Sequence, residues 1–269
     1  MRNDMPCPTT PEDVDFFRDN GYIRYPEFFS CEQIGGLREA IDQAVAANRD
    51  RILNSPDGGR VSREYDLVFN QLVNLWTDYP AVKAYAFHRA LAESARRLAE
   101  CRHVRIYHDH AMVKPPGRDS RATNWHQDAP YWPMNPVGSL SAWIAVDRVT
   151  VENGCLHFVP GSHRFGRQEP IRLAEEGESI VAKMLERGYE VPDPVTVELP
   201  AGGVTFHHGC NFHHAGPNRS AQPRRAFAVI YIPDYVTFTG THDAAGAAAE
   251  MAKDGPWDHP LHPILAGSA

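Results

Sequence analysis

Apolar positions fall into two regimes along the chain. Up to about residue 100 they recur at helical spacing. Val14, Phe16 and Phe17 follow Thr10-Pro11-Glu12-Asp13. A capping hydroxyl, a proline at the first helical position and acids in the first turn predict a helix start. Asn20-Gly21 predicts its end, because glycine takes the left-handed backbone that closes a helix. Tyr22-Ile23-Arg24-Tyr25 reads as extended before Pro26. Ser30 and Gln33 form a capping box for a second helix, in which Ile34, Leu37, Ile41, Ala44 and Val45 share one face. A third helix is predicted over about 80–100. The stretch NSPDGGR (54–60) between the second and third helices is a loop by composition, either a surface turn or a mobile lid.

From about 103 short apolar runs alternate with Pro, Gly and Asn, at 104–107, 140–146, 156–159, 195–199, 204–207 and 226–232. Many short strands with turn signals predict a β-sandwich or barrel. Helices followed by strands describe an α+β chain with the helices packed on one side of a sheet. The charged stretch 164–190 is expected to lie over one mouth of the barrel, and the tail from about 240 to wrap the periphery. No repeat or long linker divides the sequence. One domain is therefore expected over 1–269, with a helical part at about 10–100, a β-core at about 103–235 and a C-terminal wrap at about 236–269.

Composition narrows the classes. The chain has 269 residues, 42% hydrophobic and 23% charged, as in a globular protein with a full core. A net charge of -7 argues against a nucleic-acid partner. No apolar run has the length of a membrane span, and the first residues lack the apolar stretch of a secretory signal. The five cysteines are scattered without a CxxC pair, so neither a disulfide framework nor a zinc knuckle is indicated, and a reducing cytoplasm is the expected location.

Three features carry chemistry. The first is Asn124-Trp125-His126-Gln127-Asp128, in which His126 and Asp128 share a face if the segment is extended. The second is the stretch 202–218, with His207, His208, His213 and His214 between two strand-like runs. One of these histidines, joined to His126 and Asp128, gives two imidazoles and a carboxylate. Such a set binds one face of iron(II) and leaves positions for substrate and oxygen. The third is Pro223-Arg224-Arg225-Ala226-Phe227-Ala228. Arg224 shares a strand face with two alanines that leave room for a ligand, and Arg225 faces the other way with Phe227 and Val229. A buried guanidinium calls for an anion, which it holds in a bidentate fork. Taken singly, each feature also fits an ordinary surface pair or a core histidine.

With Lys114-Pro115-Pro116, Val151-Glu152-Asn153-Gly154-Cys155-Leu156 and Pro160-Gly161-Ser162-His163, these features resemble the phytanoyl-CoA dioxygenase family of iron(II)/2-oxoglutarate oxygenases over most of the chain. The resemblance implies a double-stranded β-helix, a jelly-roll or cupin-like barrel. It implies that His213, just before the turn His214-Ala215-Gly216-Pro217-Asn218, completes the iron ligands with His126 and Asp128. Arg224, eleven residues on, is implied to grip the far carboxylate of 2-oxoglutarate, with Trp143 and Gln127 against the cosubstrate. His163 reads as structural, while His207 and His208 are expected near the site. Relatives often carry serine where this chain has Ala215, so one hydrogen bond to 2-oxoglutarate is missing or supplied elsewhere.

The implied cofactors are Fe(II), 2-oxoglutarate and O2, and the implied reaction releases succinate and CO2 while hydroxylating a C–H bond of a small molecule. Asp128 argues against halogenation, which needs that ligand position vacant. Desaturation, epoxidation, a zinc hydrolase and a non-catalytic binding barrel are the alternatives. Tyr131, Trp132 and Met134 are expected to wall the substrate pocket, and Arg60 and Arg63 either to meet an anionic group or to lie on the surface. Neither the substrate nor the oligomeric state is legible.

Overall fold

The computed structural model describes residues 5–47, 70–118, 120–173, 177, 179–241 and 246–268. The 54–60 loop, Arg60 and Arg63 lie outside the described residues. Helix α1, Pro11–Asn20, starts as the sequence predicts. The Thr10 hydroxyl accepts from the Asp13 N–H, the Asp13 carboxylate accepts from the Thr10 N–H, and Gly21 closes the helix at φ 74°. Strand β1 is Tyr22–Tyr25, and helix α2, Cys31–Ala47, begins with the Ser30/Gln33 box. The third helix is in fact two, α3 Pro80–Ala86 and α4 Arg89–Leu98, with the backbone extended at His88 between them. A short strand, β2 Asn70–Val73, precedes them; no alternation marks it in the sequence.

The remaining strands are β3 His103–Lys114, β4 Thr123–His126, β5 Met134–Asn135, β6 Leu140–Ala145, β7 Leu156–Phe158, β8 Val195–Val197, β9 Val204–His208, β10 His213–Ala215, β11 Arg224–Pro233, β12 Thr237–Phe238 and β13 Ile264–Gly267. Helix α5, Ile180–Glu186, lies in the insertion between β7 and β8. The larger sheet runs β1-β9-β6-β11-β3-β13, with β2 also on β3, and the smaller runs β4-β10-β7-β8. All these pairings are antiparallel. The C-terminal tail does more than wrap the periphery, since β13 adds an edge strand to β3 and Trp257 and His262 are buried.

Strand alternation separates two cores. Leu140, Ala142, Ile144, Val204, Phe206, Phe227, Val229 and Tyr231 point to one side of the larger sheet and pack with Ile34, Leu37, Ile41 and Leu91 of the helices. Trp143, Ala145, Ala226, Ala228 and Ile230 point to the other side and meet Leu156, Phe158 and Ala215 of the smaller sheet. Arg225 lies on the helix side, as its register predicts, but it does more than pack. It pairs with Asp42 of α2 at 2.6 Å and with Asp147 at 3.1 Å. The chain is thus an α+β jelly roll, and the space between its sheets receives the polar side chains described next.

Candidate active site

His126 ends β4 and His213 begins β10, and the two are direct cross-strand partners with ring centroids 4.0 Å apart. Asp128 joins them by a different route from simple strand alternation. It sits just past β4 in a helical backbone conformation, at the head of a 3-10 turn over Ala129–Tyr131. From there its Oδ1 lies 3.6 Å from His126 Nε2 and 3.6 Å from His213 Nε2. One donor atom from each of the three residues lies within 4.8 Å of the others.

The orientation of both rings is set from behind. His126 Nδ1 is 2.7 Å from the Asn124 carbonyl and His213 Nδ1 is 3.1 Å from the Asn211 carbonyl. A carbonyl only accepts, so each Nδ1 carries a proton and each Nε2 is turned to the common point, as in histidines that bind metals. Burial, then the His126 ring, holds the His213 imidazole well below its ordinary pKa, so it stays neutral. Burial works to raise the Asp128 carboxyl, but the His213 ring, the facing His126 ring and the hydrogen bond from His207 outweigh it and hold the group well below the carboxylate range. Two imidazoles and one carboxylate converging from one side fit a divalent iron ion.

The outer oxygen of Asp128 is held separately. Ser141 Oγ donates to Oδ2 at 3.0 Å, and His207 Nε2 lies 3.2 Å from the same atom. Ser141 is a functional candidate missing from the sequence-derived set. Its signal is the two-residue spacing to Trp143 on β6, which puts both on the inner face.

Arg224 opens β11 on the inner face and is 3% exposed, with its guanidinium carbon 5.4 Å from the Trp143 ring centroid. Its Nε has no hydrogen-bond partner, and burial lowers its pKa to about 10, which leaves it charged at neutral pH. Lys114, its register partner on β3, is fully buried and donates to the Arg121 carbonyl at 2.9 Å. Among the described residues no carboxylate pairs with either side chain, and burial, then the Arg224 charge, holds the Lys114 amine well below its ordinary pKa. Burying a guanidinium without an acid is costly, so this corner of the barrel is built for an anion.

Other expected positions divide. His214 stacks on Trp125 at 5.1 Å, away from the ligand cluster. His163 sits in a 3-10 turn against the Arg18 carbonyl, as a structural residue. His207 lines the site, but His208 turns toward His163. Gln127 does not face the cluster. Its amide donates to the Gly166 and Cys210 carbonyls and accepts from the Gln168 N–H, which fixes the neighbouring loop and leaves nothing for a cosubstrate. Tyr131 packs with Met112, Ile171 and Leu173, and its hydroxyl donates to the Ile171 carbonyl. Trp132 lies beneath Gly209, where a Cβ would meet the indole at 2.6 Å. Met134 is buried, with its sulfur accepting from Ser139 Oγ at 2.9 Å.

The turn between β9 and β10 leads to a pH prediction. His208 Nδ1 accepts the Cys210 N–H at 3.0 Å, which requires a neutral ring. Burial, with the His163 and His207 rings, lowers its pKa from 6.5 to about 4. Because the folded value lies below the unfolded one, this stabilisation is complete above pH 6.5 and is lost as pH falls toward 4. A shift of this size corresponds to about 3 kcal/mol. Thermal unfolding of the metal-free protein between pH 7 and 4 should show the loss, and His208→Gln should flatten it. An unchanged slope in that variant would contradict the assignment.

A family model described as phytanoyl-CoA dioxygenase (PhyH) matches residues 17–226. Among similar proteins, a probable alpha-ketoglutarate-dependent hypophosphite dioxygenase of Stutzerimonas stutzeri is 27% identical over 225 residues, covering 80% of this chain and 76% of its own. Among solved structures, the non-heme alpha ketoglutarate dependent carbocyclase SnoK from nogalamycin biosynthesis has a TM-score of 0.80 at 25% identity, covering 96% of this chain and 97% of its own. The epimerase SnoN in complex with Fe3+, alpha ketoglutarate and nogalamycin RO has a TM-score of 0.74 at 25% identity, covering 94% of this chain and 97% of its own.

Proposed function

The chain belongs to the phytanoyl-CoA dioxygenase family, and from that premise we propose that it hydroxylates a C–H bond of a small molecule through a site built by His126, Asp128, His213 and Arg224. It is an iron- and 2-oxoglutarate-dependent oxygenase. The observation that carries the site assignment is the convergence of the two Nε2 atoms and one carboxylate oxygen in the same barrel interior as a buried Arg224 that pairs with no carboxylate among the described residues.

When bound, the iron supplies the redox chemistry by which dioxygen and 2-oxoglutarate are consumed to succinate and CO2 as the substrate is oxidised. The residues of this chain do the rest. His126 and His213 offer fixed lone pairs, and Asp128 offers the one negative charge of the ligand set. Arg224, backed by Trp143, would take the distal carboxylate of 2-oxoglutarate in a charge-assisted fork. Lys114, held by the Arg121 carbonyl, lines the same corner as a hydrogen-bonding amine. Tyr131, packed with Met112, Ile171 and Leu173, would exclude water and wall the substrate, and Trp132 and Met134 would support that wall. Asp128 occupies the position that a halide would need, which favours hydroxylation over halogenation.

The relatives act on very different molecules, by their names, so the substrate class is left to the assay. Five free cysteines support a reducing compartment, the cytoplasm, as the setting of the reaction. No helix among the described residues is long and apolar enough to cross a membrane. The whole chain is taken as one oxygenase domain, supported by β13 pairing back onto β3. The test is a screen of candidate acids, acyl thioesters and secondary metabolites, scored by oxygen-dependent succinate release with Fe(II) and 2-oxoglutarate. Product formation that needs neither oxygen nor 2-oxoglutarate would overturn the reading in favour of a hydrolase.

A further inference from the structure

We infer that His207 is a positioning residue that, with Ser141, restrains Asp128 to one-oxygen coordination and so keeps the remaining metal positions open. The inference rests on the metal reading above. It begins with a division of labour within one carboxylate. Oδ1 faces the Nε2 atoms of His126 and His213 at 3.6 Å each, while Oδ2 faces away from them toward Ser141 Oγ at 3.0 Å and His207 Nε2 at 3.2 Å. An ionised carboxylate only accepts, so His207 must carry its proton on Nε2 and donate it.

Sequence and fold put this donor in place. His207 is on β9, whose inner-face residues are Thr205 and His207, and Ser141 is its direct partner on β6. The adjacent strand thus supplies the second donor from the same side. The His207 ring is 3% exposed and fixed between Phe158, at 5.4 Å, and His213, at 4.6 Å. Its Nδ1 has no partner, so the ring is held by packing and by the one bond to Asp128. A polar ring buried at this cost, with a single hydrogen bond and that bond to a metal-ligand carboxylate, is explained by what it does to the carboxylate.

The consequence follows from the number of sites. A carboxylate with a free second oxygen can swing to grip a cation with both oxygens. That would consume one of the positions that cosubstrate and oxygen need. Two donors on Oδ2 compete with the cation for that oxygen and hold the carboxylate plane. Outer-shell partners of this kind typically change metal affinity or activity by roughly 10–100-fold.

The test uses Co(II), whose visible absorption reports coordination geometry without turnover. His207→Phe keeps an aromatic ring against Phe158 and removes the donor, and His207→Gln keeps an N–H. Ser141→Ala removes the other donor with little change of volume. Titration of the full-length protein should show Co(II) bound roughly 10–100-fold more weakly by His207→Phe, with an altered absorption spectrum. His207→Gln should recover most of both, and Ser141→Ala should shift the spectrum in the same direction. With iron, kcat should fall in His207→Phe while the KM for 2-oxoglutarate stays near wild type. Co(II) affinity within twofold of wild type and an unchanged spectrum would overturn the role of His207. If His207→Phe does not fold, an unchanged spectrum in Ser141→Ala overturns the restraint on Oδ2. A wild-type protein that binds no Co(II) would instead overturn the metal reading itself, and the two failures are therefore distinct.

Discussion

Asp128→Ala should abolish substrate oxidation and strip the protein of iron while leaving its fold intact. Asp128 is the one carboxylate in the three-residue cluster, and burial keeps the His213 ring opposite it neutral. Removing it leaves a dication facing two imidazoles, the Ser141 hydroxyl and the His207 N–H, the last two now aimed at nothing. A lost ligand should cost more than the roughly 100-fold that a lost outer-shell partner costs. The side chain lies at the head of a short turn whose backbone is held by the Ala129 N–H to the Gly209 carbonyl, so the turn does not depend on the carboxylate. Iron content after dialysis, circular dichroism and succinate release together test this. Near wild-type oxidation by a folded, iron-loaded variant would remove Asp128 from the site.

Arg224→Ala should raise the 2-oxoglutarate requirement far more than Arg225→Ala does. Arg224 is buried on the inner face without an acid partner among the described residues, next to Trp143 and Lys114. A hydrogen bond to a charged group contributes roughly 1.5–3 kcal/mol, which corresponds to a loss of affinity of roughly 10- to 150-fold. The upper part of that range is expected, because the vacancy would leave a cosubstrate carboxylate buried without its cation. Arg225 lies on the other face, paired to Asp42 and Asp147. Its removal should lower stability by about 1–2 kcal/mol, since Asp42 loses its partner and Asp147 keeps only Arg38 and a backbone N–H at the junction between α2 and the larger sheet. Titration of 2-oxoglutarate against succinate release, with thermal unfolding in parallel, separates the two. A greater affinity loss in Arg225→Ala would reverse the register of β11.

The Arg225 result shows where sequence and structure differ in kind. Alternation along β11 is local, because adjacent side chains on any strand point to opposite faces. It therefore determines which arginine turns inward. It carries no information about what lies across the sheet, and Asp42 is 183 residues away in the chain. Register therefore gives Arg225 a face and no partner, and a helix-to-sheet ion network is what the fold supplies.

The same division holds across the molecule. The caps of α1 and α2 are legible because a capping box closes over three residues. The break between α3 and α4 is not legible, because helical spacing continues through Phe87 and His88 while the backbone turns there. His126 and Asp128 are visible as a pair, although a 3-10 turn and not strand alternation brings them together. His213 is singled out from four histidines only by family resemblance, and the cross-strand pairing with His126 gives the physical reason. Gln127 stands between two site residues in sequence, yet its side chain leaves on the opposite side and holds a loop. Ser141, His207 and Lys114 acquire their places only when β3, β6, β9 and β11 are laid side by side. By itself, then, the sequence determined the local periodicities, the caps and the chemical types able to hold iron and an anion. The tertiary structure alone decided which of those groups share an interior and which atoms face each other, because those distances depend on strand pairings between residues far apart in the chain.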